Sequence, residues 1–192
     1  VEATAILISF NFNSLYMLLC SIGNHNKIYN QIRGLNKLMK ALSQKNVKHV
    51  DLKNVLKTDS TYGDTKLYHK WDTHWNNLGA AVAYREIMKT TELQFTDYSD
   101  IPFVNRTDFN GDLYSMHFPK GDEKDVNYYF DMEYNYDYTS NFKSVDDLII
   151  TTENQSGVGK VILFRDSFGN ALLFTPFANY KNKEFIKNTC NI

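Results

Sequence analysis

Two segments of the sequence carry residues whose types and spacing could support nucleophilic catalysis. The first contains Asp72 and His74, a carboxylate two positions before an imidazole. The second contains Ser167, just beyond the apolar run Val161–Phe164. A serine hydroxyl needs a base to take its proton, histidine titrates near neutral pH, and a carboxylate can orient the histidine ring. The three side chains therefore predict the triad of a serine esterase or acyltransferase.

Local geometry favours contacts among these side chains. In an extended segment, residues two positions apart point to the same side, so Asp72 can reach His74. The apolar run before Ser167 predicts a buried strand, and open α/β sheets bind their ligands at the carboxyl ends of strands. Ser167 is therefore expected at the edge of a sheet where ligands bind.

The turn around Ser167 also offers groups that could stabilise an oxyanion. The backbone N–H of Ser167 or Phe168 would lie at a helix N-terminus, where it could donate to a developing negative charge. The turn differs from the G-x-S-x-G nucleophile elbow, because Arg165 stands where the first glycine would be. The expected oxyanion or substrate contacts are Asn110, Gly111, Phe168, Arg165 and Trp75.

Other interpretations of the same residues stay open. An Asp-x-His pair is often structural, and an Asp-Ser pair after a strand often caps a helix. Asp72 and His74 could also be metal ligands of the two-histidine, one-carboxylate kind, although no third ligand stands out. We expect no metal and no cofactor.

Composition narrows the classes of function. The chain has 192 residues, 21 basic and 22 acidic, and a net charge of −1 without a long basic run, so we expect no nucleic-acid partner. Cys20 and Cys190 are too few for a zinc motif, and the sequence does not decide whether they pair. Val1 to Gly23 contains polar residues that argue against a membrane span.

Periodicity predicts an α/β fold with a mainly parallel sheet. Residues 5–10 predict a strand, helical spacing predicts a helix over 29–44, and residues 47–52 predict a second strand, which together form a β-α-β unit. A helix over 78–89 follows, capped by Asn76-Asn77. A strand over 161–164 leads into a helix over 170–174 that Pro176 ends.

The stretch between the two chemical segments divides into two parts. Residues 95–121 contain proline and several turn residues, and predict loops. Residues 126–139 alternate apolar or aromatic residues with mostly polar ones, which predicts an aromatic-rich extended strand or arm. Most of its tyrosines are expected to pack on the domain, and the alternative is an aromatic rim near a sugar site.

The segments around His74 and Ser167 resemble the DHHW family and the related alginate O-acetyltransferase proteins, which are SGNH hydrolase-like. The matching segments are Trp71-Asp72-Thr73-His74-Trp75-Asn76-Asn77-Leu78-Gly79-Ala80 and Phe164-Arg165-Asp166-Ser167-Phe168-Gly169-Asn170. The resemblance implies a flavodoxin-like three-layer fold and a triad of Asp72, His74 and Ser167. It also implies an extracytoplasmic bacterial protein that acts on cell-surface or secreted polysaccharide.

The resemblance leads to one leading hypothesis and one alternative. We expect residues 1–192 to form a single domain that is truncated at its C-terminus, because residues 181–192 do not look like the final strand and helix. The leading hypothesis is an O-acyltransferase or esterase for a carbohydrate or acyl-ester substrate, with a membrane-bound acyl donor as partner. The alternative is a binding module for polysaccharide or a protein partner, without turnover.

Overall fold

The computed structural model describes residues 3–7, 25–91, 95–157, 159–175 and 182–187. The described helices are α1 (His25–Gln44), α2 (Leu52–Thr58), α3 (Asn77–Thr91) and α4 (Asp112–His117), and a 3-10 helix spans Ser167–Phe174. The described strands are β1 (Ala3–Leu7), β2 (Phe103–Phe109), β3 (Asp125–Phe130), β4 (Asp137–Tyr138), β5 (Ile149–Glu153), β6 (Lys160–Arg165) and β7 (Asn182–Lys187).

The main sheet is mixed. Its strand order is β1-β6-β7-β5-β4, and the β1–β6 and β6–β7 pairs are parallel, whereas β7–β5 and β5–β4 are antiparallel. The predicted α/β class is confirmed, but the sheet is not mainly parallel. The difference arises because β4 and β5 join as antiparallel strands, and no sequence pattern had identified either as part of this sheet.

The core joins α3 to the central strands and the 3-10 helix. One face of α3 is apolar and its small alanines allow close packing, so most of the helix is buried. It packs in one cluster with Val161 and Leu163 of β6, Phe185 of β7 and Leu172 of the 3-10 helix. This packing sets α3 against the 3-10 helix that follows β6. The two chemical segments of the sequence flank that junction.

The segment predicted as loops, residues 95–121, contains regular structure. β2 pairs with β3 as a separate antiparallel two-stranded sheet, and α4 lies between the two strands in sequence. β2 is almost entirely exposed, so it has no buried apolar face that would mark it in the sequence. Its pairing with β3, a distant contact, stabilises it.

The predicted strand over 47–52 is wrong. Residues 47–51 form neither helix nor strand, and α2 begins at Leu52. Asp51 is the N-cap of α2, where its carboxylate accepts a hydrogen bond from the Asn54 N–H at 3.3 Å. Capping therefore outweighs the strand propensity of the two valines, and β1 pairs with β6 instead of a strand at this position.

The C-terminal prediction also needs correction. Residues 182–187 form β7, which lies between β6 and β5 in the sheet. The expectation that this segment supplies no further strand is therefore wrong. β7 is hard to recognise because four of its six residues are polar or charged and its two apolar residues, Phe185 and Ile186, are adjacent.

Other predictions agree with the structure in varying degree. The helices over 29–44 and 78–89 and the strand over 161–164 are confirmed as parts of α1, α3 and β6. The extended run over 126–139 is divided into β3, an irregular stretch and β4. A flavodoxin-like three-layer arrangement and an aromatic arm stay predictions. Residues 8–10, Cys20, Pro176 and Cys190 lie outside the described residues.

The described helices do not include a membrane span. No helix within residues 25–91, 95–157 and 159–175 combines the length and the apolar character needed to cross a bilayer.

Candidate active site

His74 lies in a short loop whose ends are tied together by backbone hydrogen bonds. The His69 N–H donates to the His74 carbonyl at 3.3 Å, and the Asn76 N–H donates to the Leu67 carbonyl at 3.0 Å. The side-chain oxygen of Asn76 then accepts two N–H groups from the first turn of α3. The loop is therefore fixed both to itself and to the buried helix, which limits the movement of the His74 ring.

Asp72, His74 and Ser167 form a continuous line of hydrogen bonds. Asp72 Oδ1 lies 2.6 Å from His74 Nδ1, and His74 Nε2 lies 2.9 Å from Ser167 Oγ. A carboxylate only accepts, so His74 Nδ1 carries the proton and Nε2 is free to accept from the serine hydroxyl. This is the tautomer that a general base for Ser167 requires.

Hydrogen bonds keep the Asp72 carboxylate ionised in spite of its burial. Burial by itself raises the pKa of Asp72, but hydrogen bonds from the His74 ring and from the backbone N–H groups of Asp112 and His74 outweigh it. The pKa of Asp72 therefore lies below its usual value. At neutral pH the carboxylate is charged and can stabilise an imidazolium at His74.

Ser167 is positioned by the junction between β6 and the 3-10 helix. Asp166 is the N-cap, and its side chain accepts a hydrogen bond from the Phe168 N–H at 3.0 Å. Gly169 approaches the preceding strand so closely that an added Cβ would lie 2.5 Å from the Cβ of Arg165. The capped turn and this close approach fix Ser167 at the carboxyl end of β6.

Hydrogen bonds from the start of α4 hold the Asp72 carboxylate and the neighbouring Thr73 in place. The Asp112 N–H donates to Asp72 Oδ2 at 2.8 Å, and the Asp112 carboxylate accepts from the Thr73 hydroxyl at 2.6 Å and the Thr73 N–H at 3.0 Å. Gly111, the N-cap of α4, is buried against the Trp71 carbonyl. Gly111, predicted as an oxyanion contact, thus lies where it positions Asp72 through Asp112.

The Gly111→Ala variant is expected to lose stability. An added Cβ would lie 2.1 Å from the Trp71 carbonyl oxygen, which belongs to the backbone and cannot move away cheaply. We expect a loss of about 1–3 kcal/mol in the free energy of unfolding, measured with denaturant. Gly34→Ala is the matched control, because a Cβ there meets nothing within 4 Å in the helix α1. That control should gain up to about 1 kcal/mol, and equal stability of the two variants would contradict the steric argument.

Phe168 and Trp75 line the site as packed side chains. The Phe168 ring lies 4.8 Å from the His74 ring and 5.4 Å from the Trp75 ring, centroid to centroid. Trp75 is almost fully buried, and its indole N–H donates to the Phe168 carbonyl at 3.0 Å. Because the Phe168 N–H already donates to Asp166, the N–H of Ser167 is the better oxyanion donor. As the first residue of its helix, Ser167 has no intrahelical acceptor for that N–H.

Arg165 and Asn110, two further expected contacts, do not line the cavity beside Ser167. The Arg165 side chain is 1% exposed and donates to the carbonyls of Val145 at 2.8 Å and Asp147 at 3.2 Å. Asn110 is exposed and accepts a hydrogen bond from Lys124. Neither side chain therefore lies in the cavity wall where the sequence predicted contact with substrate.

The three hydrogen-bonded side chains open onto a cavity of about 580 Å³. Its wall includes side chains that sequence reasoning did not select, among them His69, Phe109, Tyr129 and Tyr134. The His69 ring stacks on Phe109 with centroids 3.9 Å apart. The tyrosines belong to the alternating aromatic stretch, which was a usable signal. His69 and Phe109 are distant in the sequence and come into contact only in the folded protein. Their spacing therefore could not have predicted that both line the cavity.

A second arrangement of ligand atoms shares two members with this line. Asp72, His74 and Asp112 place one ligand atom each within 4.8 Å of one another. This set has one histidine and two carboxylates, unlike the two-histidine, one-carboxylate set considered from the sequence. The carboxylate oxygens of both aspartates already accept hydrogen bonds from protein groups. These oxygens are therefore at least as well suited to holding a carboxylate–imidazole pair in place as to binding a metal ion.

Comparisons with known proteins identify a sequence family and one similar fold. The family model of the SGNH hydrolase-like domain, acetyltransferase AlgX, matches residues 22–154. A DHHW family protein from Eubacterium siraeum DSM 15702 is 20% identical and superposes with a TM-score of 0.54 over 72% of this chain and 55% of its own. The chain thus spans about half the length of that protein, and the likeness supports the fold alone. No curated protein matches the sequence.

Two other solved structures superpose with lower scores. PatB1 from Bacillus cereus is 17% identical, with a TM-score of 0.48 over 84% of this chain and 81% of its own. The O-acetyltransferase domain of AlgJ from Pseudomonas putida is 15% identical, with a TM-score of 0.44 over 86% of this chain and 54% of its own.

Proposed function

The chain belongs to the family of SGNH hydrolase-like acetyltransferase AlgX domains, and from that premise we propose that it is a serine-dependent O-acyltransferase or esterase. Its proposed substrates are O-acetyl groups of cell-surface or secreted polysaccharide. We propose an extracytoplasmic location and an acyl donor presented by a membrane-bound partner. The described residues are proposed to form a single domain, because strands from both ends of the chain share one sheet.

The single observation that supports this proposal is the line of hydrogen bonds from Asp72 through His74 to Ser167. Its two distances, 2.6 and 2.9 Å, lie in the range that proton transfer requires. Asp72 and His74 come from one hydrogen-bonded loop and Ser167 from the junction between β6 and the 3-10 helix, so the line joins two segments that are held separately.

The proposed reaction has two half-reactions. Ser167 Oγ attacks the acyl carbonyl carbon while its proton passes to His74 Nε2, and Asp72 stabilises the resulting imidazolium. The Ser167 N–H donates to the oxyanion. As the C–O bond to the leaving alcohol breaks, His74 returns the proton to that oxygen, and the acyl group stays on Ser167.

In the second half-reaction, a sugar hydroxyl or water attacks the acyl group. His74 Nε2 takes the proton of the attacking oxygen, and then gives it to Ser167 Oγ as the serine ester breaks. A sugar acceptor makes the protein a transferase, and water makes it an esterase.

The proposal is tested by turnover of 4-nitrophenyl acetate by the purified protein before and after dialysis against EDTA. We expect release of nitrophenol that saturates with substrate and is unchanged by EDTA, because no step in the proposed reaction needs a metal. Loss of activity on EDTA treatment and recovery on adding Zn²⁺ or Mn²⁺ would instead favour a metal-dependent enzyme that uses Asp72, His74 and Asp112. No turnover above buffer, together with binding of polysaccharide, would favour the binding module.

A further inference from the structure

We infer that His69 is a further substrate-binding residue, whose Nε2 accepts a hydrogen bond from a hydroxyl of the sugar that receives the acyl group. The inference rests on the proposed function, since it concerns the acceptor of the second half-reaction at the same site. It follows from the place of the ring in the cavity, from the orientation of its two nitrogens and from its lack of charge.

The backbone pairs His69 with His74 across the short loop that holds two members of the triad. The His69 N–H donates to the His74 carbonyl at 3.3 Å, and the neighbouring residues Tyr68 and Trp75 form an antiparallel bridge. Both histidine side chains line the cavity together with Ser167. A sugar whose hydroxyl reaches His74 therefore occupies a cavity that His69 also lines.

Contacts with the two-stranded sheet hold the ring of His69. Its Nδ1 lies 3.0 Å from the carbonyl oxygen of Val126 in β3. The ring stacks on Phe109 of β2, with centroids 3.9 Å apart and 6° between the planes. Because a carbonyl can only accept, Nδ1 carries the proton and Nε2 is the acceptor. The orientation and the tautomer of the ring are therefore set by protein contacts before a substrate binds.

Nε2 of His69 is available to a ligand. The hydrogen bonds among the described residues include one to Nδ1 of this ring and none to Nε2. In the same described part of the chain, the fully buried side-chain polar atoms without a partner are Thr152 Oγ1 and Arg165 Nε, so Nε2 of His69 is not enclosed. Because the ring lines the cavity, Nε2 is the atom through which a polar ligand there can bind it.

The His69 ring carries no charge near neutral pH. Burial lowers the pKa of His69 and outweighs the nearby carboxylates of Asp72 and Asp125, which act in the opposite direction. A neutral imidazole nitrogen without a proton accepts from a hydroxyl or an N–H, and does not pair with an anion. The group that it recognises on a ligand is therefore a hydrogen-bond donor.

A sugar presents the two kinds of surface that this part of the cavity accommodates. Phe109, Tyr129 and Phe130 line the wall with His69 and can pack against the apolar C–H face of a sugar ring. The hydroxyls at the edge of the ring then need polar partners. If one hydroxyl gives its proton to His74 during attack, a second hydroxyl bound to His69 would hold the sugar in the orientation for that attack.

Two variants separate the roles of the two nitrogens. Asparagine carries its amide nitrogen the same number of bonds from the backbone as Nδ1, so His69→Asn can keep the hydrogen bond to Val126 but loses Nε2. Glutamine carries its amide oxygen the same number of bonds from the backbone as Nε2, so His69→Gln keeps an acceptor at that place. Both variants lose the ring that stacks on Phe109. A purely structural role predicts that the asparagine variant is the less impaired, and the inference predicts the reverse.

The test measures acetyl transfer from 4-nitrophenyl acetate to cellopentaose and to chitopentaose, with the acetylated sugar quantified by mass spectrometry. For the better of the two sugars, we expect His69→Asn to raise the acceptor KM about three- to tenfold, and His69→Gln to keep it within about twofold of the wild type. Release of nitrophenol without sugar should change by less than about twofold in both variants, because this donor has no hydroxyl to bind His69.

His117→Asn is the matched control. His117 is exposed at the end of α4 and does not line the cavity, so its replacement should leave the acceptor KM unchanged. An acceptor KM that His69→Asn leaves unchanged, or that His69→Gln raises at least as much as His69→Asn, would overturn the inference. A tenfold rise in the glutamine variant alone would also overturn it, which keeps the inference testable if the asparagine variant does not fold.

The outcomes separate failure of this inference from failure of the proposed function. Release of nitrophenol by the wild type without transfer to either sugar overturns the inference and leaves the proposed esterase activity standing. No release of nitrophenol by the wild type overturns the proposed function itself.

Discussion

The Ser167→Ala variant is expected to lose turnover of 4-nitrophenyl acetate by about 10⁴-fold or more in kcat. The hydroxyl that His74 Nε2 faces at 2.9 Å would be absent, so no acyl-enzyme could form. The loss should be in kcat, because removing a single hydroxyl leaves the aromatic wall of the cavity in place.

Two measurements distinguish this loss of activity from misfolding: the stability of the Ser167→Ala variant and the activity of a matched serine variant. Ser167 Oγ has one described hydrogen bond, to His74, so its removal should change the free energy of unfolding by no more than about 1 kcal/mol. Ser156→Ala is the control, since Ser156 is an exposed turn residue that does not line the cavity. A Ser167→Ala variant within about tenfold of the wild-type rate would end the assignment of Ser167 as nucleophile.

The Asp72→Asn variant is expected to lower kcat by about 10²–10⁴-fold. One carboxylate oxygen accepts from His74 Nδ1, and the other accepts from the Asp112 N–H. An amide has only one acceptor oxygen, so either the His74 ring or the start of α4 loses its partner. In the first case, the histidine is no longer held in the tautomer that accepts the proton of Ser167.

The pH dependence of stability gives a second readout for Asp72. Its pKa in the folded protein lies below the unfolded value, so the ionised carboxylate stabilises the fold at neutral pH. That contribution is present above the unfolded pKa and is lost as the pH falls through the folded pKa. In denaturant titrations, the free energy of unfolding of the variant should therefore fall less than that of the wild type over the acid range. Parallel decreases, with kcat near that of the wild type, would contradict the role assigned to Asp72.

The sequence predicted those parts of the fold that depend on interactions between residues close together in the chain. The helical spacing of α1 and α3 and the apolar run of β6 are properties of neighbouring residues, and the structure contains all three. The strand predicted over 47–52 failed for an equally local reason, because Asp51 caps α2. β2 and β7 were missed because their stability comes from distant partners, β3 and the neighbouring strands of the main sheet.

The candidate site shows the same distinction between contacts that sequence spacing predicts and contacts that only the fold creates. The approach of Asp72 to His74 follows from their spacing, and the placement of Ser167 follows from the strand before it. Asp112, by contrast, reaches Asp72 from forty positions away through a hydrogen bond of 2.8 Å. No spacing rule relates those residues, and the same is true of His69 and Phe109 in the cavity wall. Asn110 and Gly111 were selected for their turn chemistry, but they lie outside the cavity, with Gly111 behind Asp72.

The most direct test of the central claim is to locate the acyl group on the protein during turnover. The wild type would be mixed with 4-nitrophenyl acetate, quenched in acid within the first turnovers, digested and analysed by mass spectrometry. The account predicts acetylation of Ser167, at a level that rises to a steady state and is absent from the Ser167→Ala variant. Continued turnover with the acetyl group on another residue, or on none, would contradict it.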